Sequence, residues 1–172
     1  DQVASLMPPT AVILNRVEEG LIAHGNGEVV LPPKSHIQLD DRYNGHFNVL
    51  VGWVGPIDTA GVKVVGDYVD NYRHGLPSEV GMLTLYDPRI GIPRAIMDAT
   101  DITTHRTGAV TGVGAKHLAR PSSKIIGHIG ARGTAFSNIA ALNELFDIEE
   151  VRVNSKRPET REKLVEEVKA KL

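Results

Sequence analysis

The 172-residue sequence contains no cysteine, which excludes disulfides, thiolate nucleophiles and cysteine-ligated metals. No apolar run is long enough to cross a membrane, and no signal-peptide pattern opens the chain. We therefore expect a cytoplasmic protein without a membrane partner. The charges nearly cancel, with 19 basic and 21 acidic residues and a net charge of −2. This balance argues against a nucleic-acid partner, whose binding needs a basic surface.

The seven histidines are scattered without the spacing of a metal site, so no metal is expected. His105 and His117 are interpreted as surface or packing residues. With 41% hydrophobic and 23% charged residues, the composition is that of an ordinary globular protein. A chain of this length can bury a sizeable core.

Residues 1–121 are predicted to form a mixed α+β domain. A helix is expected after Pro9, because Ile13, Val17 and Leu21 recur every four residues. The strand-like runs that follow are 28–31, 47–54, 62–69, 82–86 and 93–97. The last two flank a turn and predict a hairpin. A helix rich in small residues is expected over 101–119, and a short polar linker then places a domain boundary near residue 121.

Residues 122–172 are predicted to begin a Rossmann domain. An apolar, strand-like run over 125–129 leads into a glycine cluster, a helix-like stretch over 134–146 and a second strand-like run over 151–153. This order is typical of the first half of a dinucleotide-binding βαβ unit. A complete domain of this kind has two halves, so the second half is expected to be absent from this sequence.

The glycine cluster resembles the dinucleotide fingerprint G-x-G-x-x-G/A in all but one position. The register is Gly130, Ala131, Arg132, Gly133, Thr134 and Ala135, with Arg132 at the middle glycine. An arginine there suits a pyrophosphate only if its guanidinium pairs with the phosphate oxygens. The alternative interpretation is a glycine-rich strand-to-helix turn that binds no ligand.

The turn after the second strand-like run favours NADP(H), with NAD(H) as a possible cofactor. NAD sites usually place a carboxylate about 20 residues after the glycines, on the ribose hydroxyls. Here the corresponding positions are Ser155, Lys156 and Arg157. No carboxylate follows them until Glu159. A hydroxyl and two cations suit a 2′-phosphate. The alternative is a solvated basic turn before a helix that begins near Pro158.

Four segments carry a family resemblance. The longest covers residues 101–120 and reads DITTHRTGAVTGVGAKHLAR; the others are LPPK at 31–34, GVKVV at 61–65 and GIPRAIMD at 91–98. Together they resemble the ornithine cyclodeaminase/mu-crystallin family. That family includes amino-acid dehydrogenases, ketimine reductases and cyclodeaminases. The resemblance implies a dimerising substrate domain followed by a Rossmann domain with a nicotinamide cofactor between them.

The resemblance also implies roles for individual residues. Lys63 matches the family lysine that lies at the reacting carbon and nitrogen of the substrate. Arg106 matches the arginine that binds the substrate carboxylate. Lys34 falls where the family commonly has a second arginine for that carboxylate. Ser155, Lys156 and Arg157 fall where NADP-using members contact the 2′-phosphate. From the residues alone, Lys63 could instead be a strand lysine whose amine reaches solvent, Arg106 part of an ion pair on the helix surface, and Lys34 a solvated loop charge.

Three functions follow from the resemblance. The first is an NAD(P)H-dependent oxidoreductase that interconverts an α-amino acid and its imine or keto acid. The second is an ornithine or lysine cyclodeaminase that recycles its cofactor within one turnover. The third is a non-catalytic, mu-crystallin-like NADP-binding protein. The basic turn at 155–157, which suits a 2′-phosphate, favours the first function, the oxidoreductase. The expected partners are a small amino acid or imine and a second copy of the chain.

Overall fold

The computed structural model describes residues 2–172, which divide into two compact units. The first comprises residues 2–7 and 19–103, and the second comprises 8–18 and 104–172. The predicted division into 1–121 and 122–172 differs from these units and stays a prediction. No helix within residues 2–172 has the length and apolar character to span a membrane.

The helices and strands range from two to 19 residues in length. The helices are α1 (Gln2–Ser5), α2 (Thr10–Gly25), α3 (Asp40–Tyr43), α4 (Thr100–Leu118), α5 (Ala135–Asn143) and α6 (Pro158–Lys171). The strands are β1 (Val29–Val30), β2 (Ser35–Gln38), β3 (Gly45–Val54), β4 (Thr59–Tyr68), β5 (Glu79–Tyr86), β6 (Pro93–Asp98), β7 (Ile125–Ile129) and β8 (Glu150–Asn154). Two short 3₁₀ helices cover Gly55–Ile57 and Val69–His74.

The first unit is built on an antiparallel sheet in the order β1-β3-β4-β5-β6, with β2 also pairing with β3. The β5–β6 pairing confirms the predicted hairpin. The buried Asp87 stabilises its turn, because both Arg89, at 2.9 Å, and Arg94, at 2.5 Å, donate to its carboxylate. These two guanidinium groups hold the pKa of Asp87 well below its usual range, with Arg89 the larger cause.

The two faces of this sheet differ in character. Lys63 on β4 is paired across the sheet with Leu50 on β3 and Leu83 on β5. Because side chains alternate along a strand, Val64 points to the opposite face, together with its partner Met82. That opposite face is apolar and partly exposed.

The second unit contains a parallel βαβ arrangement. β7 and β8 pair in parallel from Ile125↔Glu150 to Ile129↔Asn154, and α5 lies between them in the chain. The α/β class and the first strands of a dinucleotide-type unit predicted from the sequence are thus confirmed. Ile126, Ile139 and Leu164 form the core between β7, α5 and α6.

Small residues on α4 allow a close approach to α5. A Cβ on Gly108 would fall on the carbonyl group of Ser137, and one on Gly112 would lie 2.6 Å from a methyl carbon of Leu14. The buried Ser137 hydroxyl lies 3.0 Å from the carbonyl oxygen of Thr104 and 2.9 Å from that of Thr134, and can donate to either. The small-residue pattern of α4 therefore has a packing function.

The same substitution at two glycines of α4 should have opposite effects. Gly108→Ala should lower the free energy of unfolding by about 1–3 kcal/mol, because the added methyl group meets rigid backbone. Gly114→Ala is the matched control and should stabilise by about 0.5–1 kcal/mol, because no atom lies within 4 Å of its Cβ position. Urea unfolding of both variants measures the difference, and equal effects would contradict the packing described here.

Candidate cofactor and substrate site

Lys63 is held by a buried hydroxyl within the first unit. Its Nζ donates a hydrogen bond to Thr103 Oγ1 at 3.2 Å, and Thr103 is only 4% exposed. Thr103 is itself fixed by the first turn of α4, where its backbone N–H donates to the Ala99 carbonyl at 2.8 Å. The ammonium group is therefore restricted in position. The sequence alone also allowed the alternative, a side chain extended into solvent.

The same face of the sheet carries an amide that the sequence analysis missed. Asn48 on β3 is paired with Val65, two residues from Lys63 on β4, so the two polar side chains share a face as diagonal neighbours. The Asn48 Oδ1 is buried and has no hydrogen-bond partner among residues 2–172. No signal in the sequence identified it, because Asn48 alternates with Phe47 and Val49 as an outward-facing polar residue does.

The two other cations of the predicted site lie in different parts of the fold. Lys34 is in the exposed loop between β1 and β2 of the first unit. Arg106 is exposed on the part of α4 that belongs to the second unit. Among residues 2–172, no hydrogen bond or ion pair is found for the side chain of Lys34 or Arg106.

The predicted phosphate-binding residues form the loop between β7 and α5. Gly130 has φ of +100° and Gly133 has φ of +55°, which favour glycine over any residue with a Cβ. No atom lies within 4 Å of either Cβ position, so the space above both glycines is open. Ala131 and the exposed Arg132 complete the loop.

The loop leads directly into the amino-terminal end of α5. Thr134 occupies the position before the helix and makes no side-chain capping bond, and Ala135 is the first, buried, helical residue. The first turn of a helix leaves backbone N–H groups without an intrahelical partner, and these groups favour anions. The loop and this helix end therefore fit a phosphate group.

The predicted basic turn follows β8 at the same edge of the two-stranded sheet. Ser155 Oγ lies 2.9 Å from Thr160 Oγ1 and 3.1 Å from the Arg157 carbonyl oxygen. The Arg161 guanidinium, which the sequence analysis did not single out, donates to the Ser155 carbonyl. These contacts fix the backbone of the turn, while the Lys156 and Arg157 side chains are exposed.

Strand pairing brings the glycine loop and the basic turn together. The Gly130 N–H donates to the Asn154 carbonyl at 2.7 Å, immediately before Ser155. In open parallel sheets, ligands bind beyond the carboxyl ends of the strands, which is where both segments lie. The glycine loop and the basic turn thus lie together at the sheet edge where a phosphate-containing ligand would fit.

The fold and this loop geometry define an α/β protein with a dinucleotide-type βαβ unit. The sequence matches the ornithine cyclodeaminase/mu-crystallin family over residues 3–171. The chain belongs to this family, which confirms the resemblance drawn from the four sequence segments.

Similarity to individual proteins agrees with this membership. The chain is 34% identical over 152 residues to an alanine dehydrogenase of Archaeoglobus fulgidus, covering 88% of the chain and 46% of the relative. It is 28% identical to the ketimine reductase mu-crystallin of Rattus norvegicus, covering 95% of the chain and 50% of the relative. The chain therefore spans about half the length of these curated relatives.

The fold is also found in a solved structure. A Δ1-pyrroline-2-carboxylate reductase of Thermococcus litoralis, solved with NADH and L-proline, superposes with a TM-score of 0.93 at 34% identity. The match covers 97% of this chain and 51% of that one.

Proposed function

We propose that the protein is an NAD(P)H-dependent oxidoreductase that interconverts an α-amino acid and its imine or keto acid. The observation that carries this proposal is the placement of Lys63, an amine on an inner sheet face held by the buried Thr103. A positioned amine can donate or accept a proton at a substrate nitrogen. The similarity to an alanine dehydrogenase and to two imine-type reductases supports the same chemistry.

Each residue of the substrate site has a proposed role. Lys63 is the catalytic residue, which protonates or polarises the substrate nitrogen while Thr103 limits the movement of its ammonium group. Arg106 binds the substrate carboxylate through its two-pronged guanidinium, and Lys34 adds a second positive charge for the same group. The nicotinamide, when bound, supplies or accepts the hydride.

The cofactor is proposed to be NADP(H) in preference to NAD(H). The 2′-phosphate is bound by Ser155, Lys156 and Arg157. The lack of a carboxylate between Asn154 and Glu159 favours this assignment. The pyrophosphate is bound by a second group of residues: Gly130, Arg132, Gly133, Thr134 and Ala135. The NADH bound to the Thermococcus relative keeps NAD(H) as the alternative cofactor.

A substrate screen on the complete protein separates the proposed function from its alternatives. NADPH absorbance is followed with pyruvate plus ammonia, with a cyclic ketimine and with ornithine. We expect oxidation of NADPH with the keto acid only when ammonia is present, or with the ketimine. Conversion of ornithine to proline without net change in NADPH would overturn this function in favour of a cyclodeaminase. NADPH binding without turnover of any substrate would favour a non-catalytic, mu-crystallin-like protein.

The two predicted domains are proposed to have different functions. Residues 1–121 bind the substrate and form a homodimer, and residues 122–172 are the first part of the nucleotide-binding domain. The cytoplasmic location stays a prediction.

The dimer is supported by the apolar sheet face opposite Lys63, where Met82 is 57% and Ile96 is 66% exposed. An uncovered apolar face of this kind is typical of a protein interface.

Charge on this face should dissociate the dimer. Met82→Glu should convert a dimer into a monomer at micromolar concentration, because each copy would bury a carboxylate in the proposed interface. Ile90→Glu is the control, since Ile90 is 68% exposed in the β5–β6 turn, away from that face. Light scattering measures both masses, and a monomeric wild-type protein would contradict the proposed dimer.

A further inference from the structure

The end of β7 carries a histidine that has no role in the proposed chemistry. His128 Nδ1 lies 2.9 Å from the carbonyl oxygen of Gly130, the first residue of the glycine loop. His128 Nε2 lies 3.3 Å from Nδ2 of Asn138 on α5. The Asn138 Oδ1 in turn lies 3.0 Å from the Thr111 hydroxyl on α4. All four residues belong to the second unit.

Donor and acceptor chemistry determines the direction of each bond in this network. A carbonyl oxygen can only accept, so His128 Nδ1 carries a hydrogen and donates to Gly130. The Thr111 hydroxyl donates to Asn138 Oδ1, since its other acceptor, the Thr107 carbonyl, is more distant at 3.5 Å. The Asn138 amide therefore turns its NH₂ group towards His128, and Nε2 accepts. The network requires the neutral Nδ1–H tautomer of His128.

With this network, both the N–H and the carbonyl group of Gly130 are hydrogen-bonded. The Gly130 N–H is already bound to the Asn154 carbonyl at 2.7 Å, and the His128 bond engages its carbonyl as well. Gly130 has φ of +100°, one of many conformations that glycine adopts readily, so contacts with neighbouring groups are needed to select it. Because both polar backbone groups of Gly130 are hydrogen-bonded, the backbone of the loop is held in position before any ligand binds.

We infer that His128, oriented by Asn138 and Thr111, is a positioning residue that preorganises the glycine loop for the cofactor pyrophosphate. The inference rests on the proposed function, because the ligand of the loop is taken to be the nicotinamide dinucleotide. Preorganisation increases affinity by removing the cost of ordering the loop on binding. The residue acts on cofactor affinity and not on the proton transfer assigned to Lys63.

The experiment compares cofactor binding with stability in the complete protein. His128→Ala and Asn138→Leu should each raise the Kd for NADPH about tenfold, with kcat at saturating NADPH changed less than the Kd. His128→Gln, whose amide can still donate to the Gly130 carbonyl, should recover part of the affinity. Asn143→Leu is the matched control, because Asn143 is exposed at the far end of the same helix.

A second measurement tests the network without any variant. Long-range ¹H–¹⁵N NMR spectra of the wild-type protein at neutral pH should show His128 with hydrogen on Nδ1 and none on Nε2. A hydrogen on Nε2 of neutral His128, or variants that lose thermal stability but bind NADPH as wild type does, would overturn the inference alone. A wild-type protein that binds neither NADPH nor NADH would overturn the proposed function as well.

Discussion

Lys63→Met in the complete protein should reduce kcat by about 10²–10⁴-fold, the range that a positioned acid–base group contributes. Methionine keeps the length of the side chain but cannot exchange a proton with the substrate nitrogen. The Kd for NADPH should remain within about twofold of the wild-type value, because Lys63 lies on the sheet of the first unit and the phosphate-binding loops lie in the second. Single-turnover kinetics and a cofactor titration measure the two quantities separately.

Lys169→Met provides the matched control for this loss of one amine. Lys169 is exposed on α6, so kcat should stay at the wild-type value. A Lys63→Met variant that retains more than about a tenth of wild-type kcat would remove Lys63 from proton transfer. In that case the Thr103 contact would serve only to stabilise the first unit.

The elements of the fold were largely predictable because the spacing of apolar residues reflects the geometry of strands and helices. Phe47, Val49, Val51 and Trp53 alternate, and the strand predicted over 47–54 corresponds to β3 from Gly45 to Val54. β2 was not predicted, because all four of its residues are exposed at the sheet edge and no apolar alternation is required there. The helix predicted to end at 146 ends at Asn143, and a turn follows in which Leu145 and Phe146 both donate to the Leu142 carbonyl.

The residues that position the site were not predictable in the same way. Lys63 and Thr103 are 40 residues apart, and their contact depends on how α4 follows the sheet. The His128 network joins three elements through polar atoms that leave no periodic signal in the sequence. The glycines were recognisable because their positive φ restricts residue type locally. Local backbone requirements are therefore recorded in the sequence, whereas side-chain partners are determined by tertiary structure.

Changing Lys156 and Arg157 together to alanine should raise the Kd for NADPH about 100-fold or more, since each loses a charge-assisted hydrogen bond to the 2′-phosphate. The Kd for NADH should change by less than about threefold, because NADH lacks that phosphate. The turn itself should persist, since Ser155 and Thr160 contact the Arg157 carbonyl, which alanine retains. Titration of both cofactors by fluorescence gives the ratio of the two losses.

The control must remove the same net charge without touching the turn. Lys163→Ala with Lys169→Ala does this on α6, where both lysines are exposed, and any general effect of charge on an anionic cofactor should appear equally in this variant. The loss of NADPH affinity in the turn variant should also shrink as salt rises, because the exposed cations are screened. Equal losses for NADPH and NADH in the turn variant would contradict a 2′-phosphate site. The basic turn would then bind a group that the two cofactors share, and the preference for NADP(H) would have to be abandoned.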